Sequence, residues 1–126
     1  MTLRVKSKFW IEDDQGRPIF GSGKRTILEK IEEHGSISAA AEAMHMSYRA
    51  VWGKIKTTEE RLGLKLVETA PGRGSDKSSW LTPAARELLG LFQSLEEQGL
   101  RQADELFQKV FVQHEAPKGP ASHDRS

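Results

Sequence analysis

Residues 36–63, SISAAAEAMHMSYRAVWGKIKTTEERLG, hold two candidate helix starts that lie only nine positions apart. Ser38 is placed to cap a short alanine-rich helix over residues 39–45, and Ser47 to cap a second helix that ends at Gly63. The few residues between the two helices leave room only for a tight turn, and the alanines let the helices approach closely. The chain is therefore expected to fold around a helix-turn-helix pair.

An alternating pattern opens the chain. In LRVKSKFWIE, residues 3–12, apolar side chains alternate with basic ones, which is the period of a half-buried strand. DDQG then supplies turn residues and RPIF a short return strand, so we expect a β-hairpin over residues 3–20. A helix over residues 23–34 follows, with Ser22 as its cap and Gly35 as its left-handed stop.

A second hairpin and a long helix follow the helix pair. The segments KLVET and SSWLT are rich in strand-forming residues and the APGRGSDK between them favours a turn, so residues 65–81 are expected to form a hairpin, the wing. Thr82 and Pro83 then start a helix that continues to about residue 113. Its apolar stripe at three- and four-residue spacing consists of Leu88, Phe92, Leu95, Leu106 and Val110.

This order of elements predicts a mainly α fold with a small amount of β structure. It is the winged helix-turn-helix arrangement, here with an amino-terminal β-hairpin and a long carboxy-terminal dimerisation helix. We expect a winged domain over residues 1–81 with its helix-turn-helix at 38–63, a dimerisation helix over 82–113 and a disordered tail over 114–126. The apolar stripe of a projecting helix is hard to satisfy in a monomer, which favours a homodimer; the alternative is a helix folded back on its own domain.

Composition narrows the classes of function. The 126 residues contain no cysteine, which excludes disulfides and thiolate metal sites, and the four histidines share no metal-ligand spacing. No nucleophile stands beside a base and an orienting carboxylate, and APGRGSDK lacks the Lys-Ser/Thr pair of a P-loop. We therefore expect no enzyme, no metal and no cofactor. No apolar run is long enough to span a membrane and the first residues are unlike a secretory signal, so a cytoplasmic location is expected.

The start of the second helix of the pair concentrates hydrogen-bond donors, aromatic surface and positive charge. A helix fits the major groove of B-form DNA, where Arg49 could reach guanine acceptors and Tyr48 or Trp52 a thymine methyl group or a sugar. Lysines farther along suit phosphates, and a capping serine can place its hydroxyl and the free first-turn N–H groups against a phosphate oxygen. The candidate DNA-binding residues of this helix are Ser47, Tyr48, Arg49, Trp52, Lys54 and Lys56.

The distribution of charge supports the same surface. Residues 1–81 carry 14 Lys and Arg against 11 Asp and Glu, whereas residues 82–126 carry 5 against 7. The positive half thus holds the predicted recognition helix, and Arg73 and Lys77 in the wing are further candidate DNA contacts. A glycine such as Gly53 is unfavourable inside a helix. Its presence is explained by close approach of the helix backbone either to DNA or to a neighbouring helix.

Other interpretations of the same residues stay open. Trp52 and Tyr48 are also suited to pack as core aromatics against the amino-terminal hairpin, and the basic residues to form a solvated face. A winged helix can also serve as a protein-protein interaction module without DNA binding, with these two aromatic side chains as its hot spot. Binding to DNA that weakens steeply with salt would favour the DNA-binding function over the protein-protein interaction module.

The segments GSISAAAEAMHMSYRAVWGKIKTTEERLGLKLVET (35–69) and LTPAARELL (81–89) resemble the amino-terminal domain of molybdate-responsive transcriptional regulators of the ModE type. They are also similar, more distantly, to LysR-type DNA-binding domains. The strand entry within residues 8–38 favours the ModE type, because LysR-type chains usually begin directly with the first helix. The resemblance covers roughly residues 3–111.

This resemblance implies a winged helix-turn-helix homodimer that regulates transcription by binding double-stranded DNA at a palindromic operator. It implies that the start of the second helix is the recognition surface, that the 72–78 loop is the tip of the wing, and that the helix after Thr82 is the dimer element. The sequence ends at residue 126, before the oxyanion-binding domains of the full-length family. We therefore expect a stand-alone regulator whose target genes concern molybdate or tungstate handling, and the binding of a small oxyanion effector stays open.

Overall fold

The structure, a computed structural model, describes residues 1–71 and 77–113. The chain forms two compact units, one over Phe9–Ser94 and one made of Met1–Lys8 with the residues from Leu95 onward. Helices predominate in the described residues, and two antiparallel hairpins supply the β structure. The expected fold class, mainly α with a small amount of β, is confirmed.

The first hairpin pairs β1, Trp10–Glu12, with β2, Pro18–Gly21, in antiparallel register. One carboxylate oxygen of Asp13 accepts two backbone N–H groups of the turn, each at 2.9 Å, and so closes it. A Cβ atom on Gly21 would lie 3.2 Å from the Cβ of Trp10, so the close approach of the two strands favours glycine here.

The first strand is shorter than the alternation over residues 3–12 predicts. Residues 3–9 are not in a strand, and Leu3 in this segment is 44% exposed. The return strand has only four residues, so it pairs with the last part of the alternating segment alone. The pattern therefore predicted a strand correctly but overestimated its length, since a strand needs a partner as well as a period.

α1 spans Ser22–His34, close to the predicted bounds. It begins after Gly21 without a side-chain cap, so the prediction of Ser22 as the cap is wrong and Ser22 is the first helical residue. Gly35 ends the helix in the left-handed conformation, at φ 79°, as predicted. The buried residues of α1 are Ile27, Leu28 and Ile31.

α2, Ile37–Ala43, and α3, Tyr48–Leu62, form the predicted helix-turn-helix. The cap of α2 is Ser36, whose Oγ accepts the backbone N–H of Ala39 at 3.0 Å. The predicted cap, Ser38, lies inside the helix. Ser36 is the cap because its backbone is extended, as a cap requires. Ser38 cannot be the cap because the helix has already begun at Ile37.

The turn between α2 and α3 is tight. His45 lies in the left-handed region at φ 56°, which is uncommon for a residue other than glycine. The N–H of Met46 donates to the carbonyl of Ala41 at 2.9 Å, which holds the turn against α2. Ser47 caps α3 and Gly63 ends it at φ 68°, both as predicted.

β3, Val67–Thr69, pairs antiparallel with β4, Ser79–Leu81, to form the wing hairpin. Thr82 then caps α4, Pro83–Phe107, by accepting a first-turn N–H at 3.1 Å. The same hydroxyl donates to the carbonyl of Lys65 at 2.7 Å. One side chain therefore ties the start of α4 to the chain that enters the wing hairpin.

The core of the Phe9–Ser94 unit joins β2 to the first turns of α4. Phe20 and Phe92 are 2% and 1% exposed and meet edge to face, with their ring centres 5.1 Å apart. The prediction that Phe92 lies in a dimer contact is therefore wrong, because its side chain has no surface left for a partner. Leu88, a second member of the predicted stripe, packs against the same core. The winged unit thus extends beyond the boundary expected at residue 81.

The far part of α4 carries apolar side chains on its surface. The exposed members of the predicted stripe are Leu95, Leu106 and Val110, at 44%, 57% and 52% exposure. The chain stays helical as far as predicted, but the last five residues, Gln108–Val112, form a π-helix. Within residues 1–71 and 77–113, no helix has both the length and the apolar content needed to cross a bilayer.

Two expectations fall on parts of the chain outside the described residues. The tip of the wing with Arg73 lies in one gap, between residues 71 and 77. The predicted disordered tail over residues 114–126 lies in the other. Neither expectation is tested by the structure.

Replacement of Phe92 by alanine should lower the free energy of unfolding by about 3–5 kcal/mol, because it empties the centre of the core. Leu91 is 64% exposed, so Leu91→Ala is the matched control and should change stability by about 0.5 kcal/mol or less. Urea unfolding at a fixed protein concentration measures both values. Equal effects of the two substitutions would contradict the assignment of Phe92 to the core.

Candidate nucleic-acid interface

The first three residues of α3 are exposed. Ser47 fixes the start of the helix, because its Oγ accepts a hydrogen bond from the backbone N–H of Ala50 at 3.1 Å. Tyr48 is 42% exposed, and Arg49 is also exposed. The structure therefore presents a phenol and a guanidinium to solvent at the end of α3 that follows the tight turn.

Trp52, one turn further along α3, is 44% exposed. The alternative in which Trp52 and Tyr48 are core aromatics is therefore wrong. The inward face of the helix is already filled by Val51 and Ile55, which are 0% and 4% exposed. Two large aromatic side chains thus remain on the solvent side of the helix.

Lys56 lies on the side of α3 that faces the wing hairpin. Its Nζ is 5.6 Å from the centre of the Trp52 ring, a cation–π contact, and 3.2 Å from a carboxylate oxygen of Glu59. Lys56 and Trp52 lie along one groove between the helix and the wing hairpin. The polar and aromatic residues that line this wing groove are Tyr48, Trp52, Lys56, Lys65, Glu68, Thr69 and Lys77.

The structure separates the two lysines predicted to contact phosphates. At 100° per residue, Lys54 and Lys56 point about 160° apart around the helix, and Lys54 lines a small apolar pocket with Lys24 instead of the wing groove. Arg49 and Gly53 lie between them on the solvent side. A Cβ atom on Gly53 would meet no atom within 4 Å, so no neighbouring helix accounts for this glycine.

Glu59 is a structural member of the site that the sequence analysis did not identify. Its carboxylate accepts the backbone N–H groups of Leu66 at 2.8 Å and Val67 at 3.2 Å, and so fixes the wing hairpin to α3. These partners lie seven and eight residues further along the chain, beyond the end of the helix. No periodic pattern in the sequence points to such a contact.

The charge state of Glu59 depends on these contacts. Burial raises the pKa of the Glu59 carboxyl, but the N–H donors of Leu66 and Val67, together with Lys56, lower it by more, so its pKa lies below the ordinary value. A carboxyl with a lowered pKa in the folded state contributes stability above its unfolded pKa and loses it as the pH falls. The attachment of the wing hairpin is therefore sensitive to acid.

The solvent side of α3 offers donors, aromatic faces and positive charge, which is the chemistry that base edges and phosphates of duplex DNA accept. Among the residues that the structure describes, no group of histidine and carboxylate side chains is arranged to hold a metal ion. The fold and this surface define a winged helix-turn-helix domain, a class of transcription-regulator DNA-binding domains and not of enzymes.

Residues 25–86 match the family described as "Bacterial regulatory helix-turn-helix protein, lysR family". The match runs from α1 to the start of α4 and so includes α3 and the wing hairpin. The chain thus contains a region similar to the helix-turn-helix domains of bacterial regulatory proteins.

Curated relatives confirm the resemblance to ModE-type proteins. The chain is 33% identical over 81 residues to the molybdenum-pterin-binding protein MopA of Rhodobacter capsulatus, which covers 64% of this chain and 31% of MopA. It is 27% identical over 107 residues to the molybdenum transport protein ModE of Azotobacter vinelandii, which covers 85% of this chain and 39% of ModE. The chain therefore spans about a third of the length of these relatives.

Solved structures confirm the fold. The DNA-binding domain of CbnR, solved in complex with DNA, matches 71% of this chain and 97% of its own length at a TM-score of 0.54 and 22% identity. Full-length CbnR in complex with its target DNA matches 68% of this chain and 28% of its own length at a TM-score of 0.52 and 23% identity. At this level of identity, the likeness concerns the winged helix-turn-helix fold.

Replacement of Glu59 by glutamine should lower the free energy of unfolding at pH 7 by about 1.5–3 kcal/mol, since the charged acceptor of two backbone N–H groups is lost. The difference from the wild type should shrink as the pH falls below about 4.3, where the carboxyl of the unfolded chain becomes protonated. Thermal unfolding between pH 3 and pH 7 measures this. Glu60→Gln, at the exposed neighbouring position, is the control, and a pH-independent difference for Glu59→Gln would count against the anchoring role.

Proposed function

We propose that this protein is a sequence-specific transcriptional regulator that inserts α3 into the major groove of duplex DNA. The observation that carries the proposal is the exposure of Tyr48, Arg49 and Trp52 on a helix whose opposite face fills the core. Packing within the domain does not account for these side chains. The major groove offers guanine acceptors and thymine methyl groups that suit them.

Each residue at the start of α3 has a distinct role in this proposal. Arg49 bonds to the O6 and N7 acceptors of a guanine, and the two aromatic side chains contact thymine methyl groups or sugars. Ser47 and the free N–H groups of the first turn bind a phosphate oxygen. Gly53, whose missing side chain leaves open space on the solvent side, lets the helix backbone approach the floor of the groove.

The wing groove supplies backbone contacts on one side of α3. Lys56 and Lys77 line this groove, and both are proposed to contact phosphates. Arg73 at the tip of the wing is proposed to do the same. Because such contacts are electrostatic, the affinity for any duplex should fall steeply with salt.

The exposed stripe of α4 supports the proposal of a homodimer. Leu95 and Leu106 point about 20° apart on α4, Val110 follows in the π-helix, and each of the three is close to half exposed. Two copies that pair along this stripe would present two recognition helices to successive major grooves, about 34 Å apart. The proposed operator is accordingly palindromic.

The relatives suggest a physiological setting. The names of MopA and ModE refer to molybdenum pterin binding and to molybdenum transport. On that basis we propose that the genes regulated by this protein concern molybdate or tungstate handling. A protein that binds chromosomal DNA must be in the same compartment as the chromosome. We therefore propose that this protein is located in the cytoplasm.

A protein-interaction module is the second candidate function, because the exposed Tyr48 and Trp52 would also serve as a hot spot for a protein partner. A fluorescence-anisotropy titration separates the two functions. Tight binding to duplexes selected by the protein from a random library, weakening steeply with salt, supports the DNA-binding function. Absence of binding to any duplex even at low salt would favour the interaction module.

Replacement of Arg49 by alanine should weaken binding to the selected duplex by about 1–3 kcal/mol and relax the preference for one base, since a bidentate contact with guanine is lost. Lys54→Ala is the matched control, which should weaken binding to selected and random duplexes alike. Anisotropy titrations against both duplexes at one salt concentration measure the two effects. If Arg49→Ala weakened both duplexes equally, Arg49 would not read a base.

Replacement of Leu106 by glutamine should shift the protein from dimer towards monomer at micromolar concentration, because a polar amide would enter the apolar contact between copies. Helix content measured by circular dichroism should stay the same, since the side chain is exposed. Arg101→Gln, on the opposite side of the helix, should leave the dimer intact. Sedimentation velocity measures the three proteins, and a monomeric wild type would contradict the dimer.

A further inference from the structure

A cluster of three cations lies on the flank of α3 that faces away from the wing hairpin. The basic cluster consists of Lys24, Lys54 and Arg61. The Nζ of Lys24 donates to the carbonyl of Ile19 at 3.2 Å, and Nη1 of Arg61 donates to the carbonyl of Pro18 at 2.7 Å. Two of the charges are therefore attached to consecutive carbonyls of β2, and Lys54 lines the same small apolar pocket as Lys24.

No carboxylate in residues 1–71 and 77–113 forms an ion pair with the basic cluster. Other cations of the chain do have such partners, among them Arg17 and Lys56, at 2.7 Å and 3.2 Å. Burial lowers the pKa of Lys24, and the nearby charges of the other two cations lower it further. Three like charges without a counter-charge destabilise the fold, and an anion supplied from outside would relieve their repulsion.

The start of α1 adds to the positive potential of the basic cluster. This helix of 13 residues begins after Gly21 with no side-chain cap and no acidic residue in its first turn. The free N–H groups of a first turn carry the positive end of the helix dipole. Lys24 belongs to this turn, so the positive end of the dipole lies beside one member of the basic cluster.

The position of the basic cluster relative to α3 indicates the ligand. Lys54 and Arg61 are seven residues apart and share one side of the helix, while Trp52 and Lys56 lie on the other side, along the wing groove. The major groove is bordered by the phosphates of both DNA strands. A helix inside it therefore has one backbone beside each flank.

We propose that the basic cluster binds phosphates of the DNA strand on the side of α3 opposite the wing hairpin. This surface includes Lys24 and Arg61, which lie outside the predicted DNA-binding residues, and the proposal rests on the DNA-binding function proposed above. Phosphate contacts carry no base information, so the cluster strengthens binding to every duplex equally. With the wing on one strand and the cluster on the other, the helix is fixed in position across the groove.

The double variant Lys24→Gln/Lys54→Gln of the full chain tests the proposal, and Arg61 is kept because it supports β2. Affinities for the selected duplex and for a random duplex are measured by anisotropy over a series of sodium chloride concentrations. Two lost phosphate contacts should make the slope of log K against log salt shallower by about 1.8, for both duplexes alike. Lys30→Gln/Lys109→Gln removes the same charge elsewhere and should leave the slope unchanged.

Duplexes with single phosphates replaced by neutral methylphosphonates localise the contact. The wild type should lose affinity when phosphates on the strand opposite the wing are replaced, and the double variant should show no further loss at those positions. A wild-type slope in the double variant, or an equal change in the control, would overturn the proposal for the basic cluster alone. Failure of the wild type to bind any duplex would overturn the proposed DNA-binding function and this proposal together. Thermal unfolding of all variants confirms that each is folded.

Discussion

The close packing of α3 against α2 decides which side of α3 is left exposed to solvent. Ala40 and Ala41 are 0% and 2% exposed, and their small side chains allow Val51 and Ile55 to lie close to the backbone of α2. The inward residues of α3 also pack against β2 and α1, and Thr58 is buried with them, so Tyr48, Arg49 and Trp52 are left exposed. The interface is therefore a consequence of how the core is filled.

The wing hairpin depends on this same helix. Glu59, near the end of α3, accepts backbone N–H groups at the entry to the wing hairpin. Thr82, which follows the second strand, donates its hydroxyl to the carbonyl of Lys65, which precedes the first strand. The two strands are short, with three residues each, and would be only marginally stable as an isolated hairpin. Side chains from the neighbouring helices thus place the wing hairpin beside Trp52 and Lys56, and the groove between them follows from these bonds.

Local chemistry explains why most elements could be predicted from the sequence. Gly35 and Gly63 end helices because glycine adopts the left-handed conformation at little cost, and Ser47 begins one because its hydroxyl accepts a free N–H group. Where two residues competed for a role, the pattern did not decide. Ser36 and Ser38 both suit a cap, and the backbone conformation set by the end of α1 selected Ser36. The alternation before Trp10 failed for a related reason, since pairing depends on a strand elsewhere in the chain.

The sequence by itself determined the helix-turn-helix, the wing hairpin and the concentration of basic and aromatic residues at the start of α3, because periodicity, caps and turn residues act over a few positions. The exposure of Tyr48 and Trp52 was decided by the tertiary structure. Only the tertiary structure decided how one stripe on α4 is divided. Phe92 is buried against Phe20, whereas Leu106, on the same stripe, is 57% exposed. It also decided that Lys54 joins Lys24 and not Lys56. Burial and charge clustering depend on residues distant in the chain, and no local pattern records which distant residues will be neighbours.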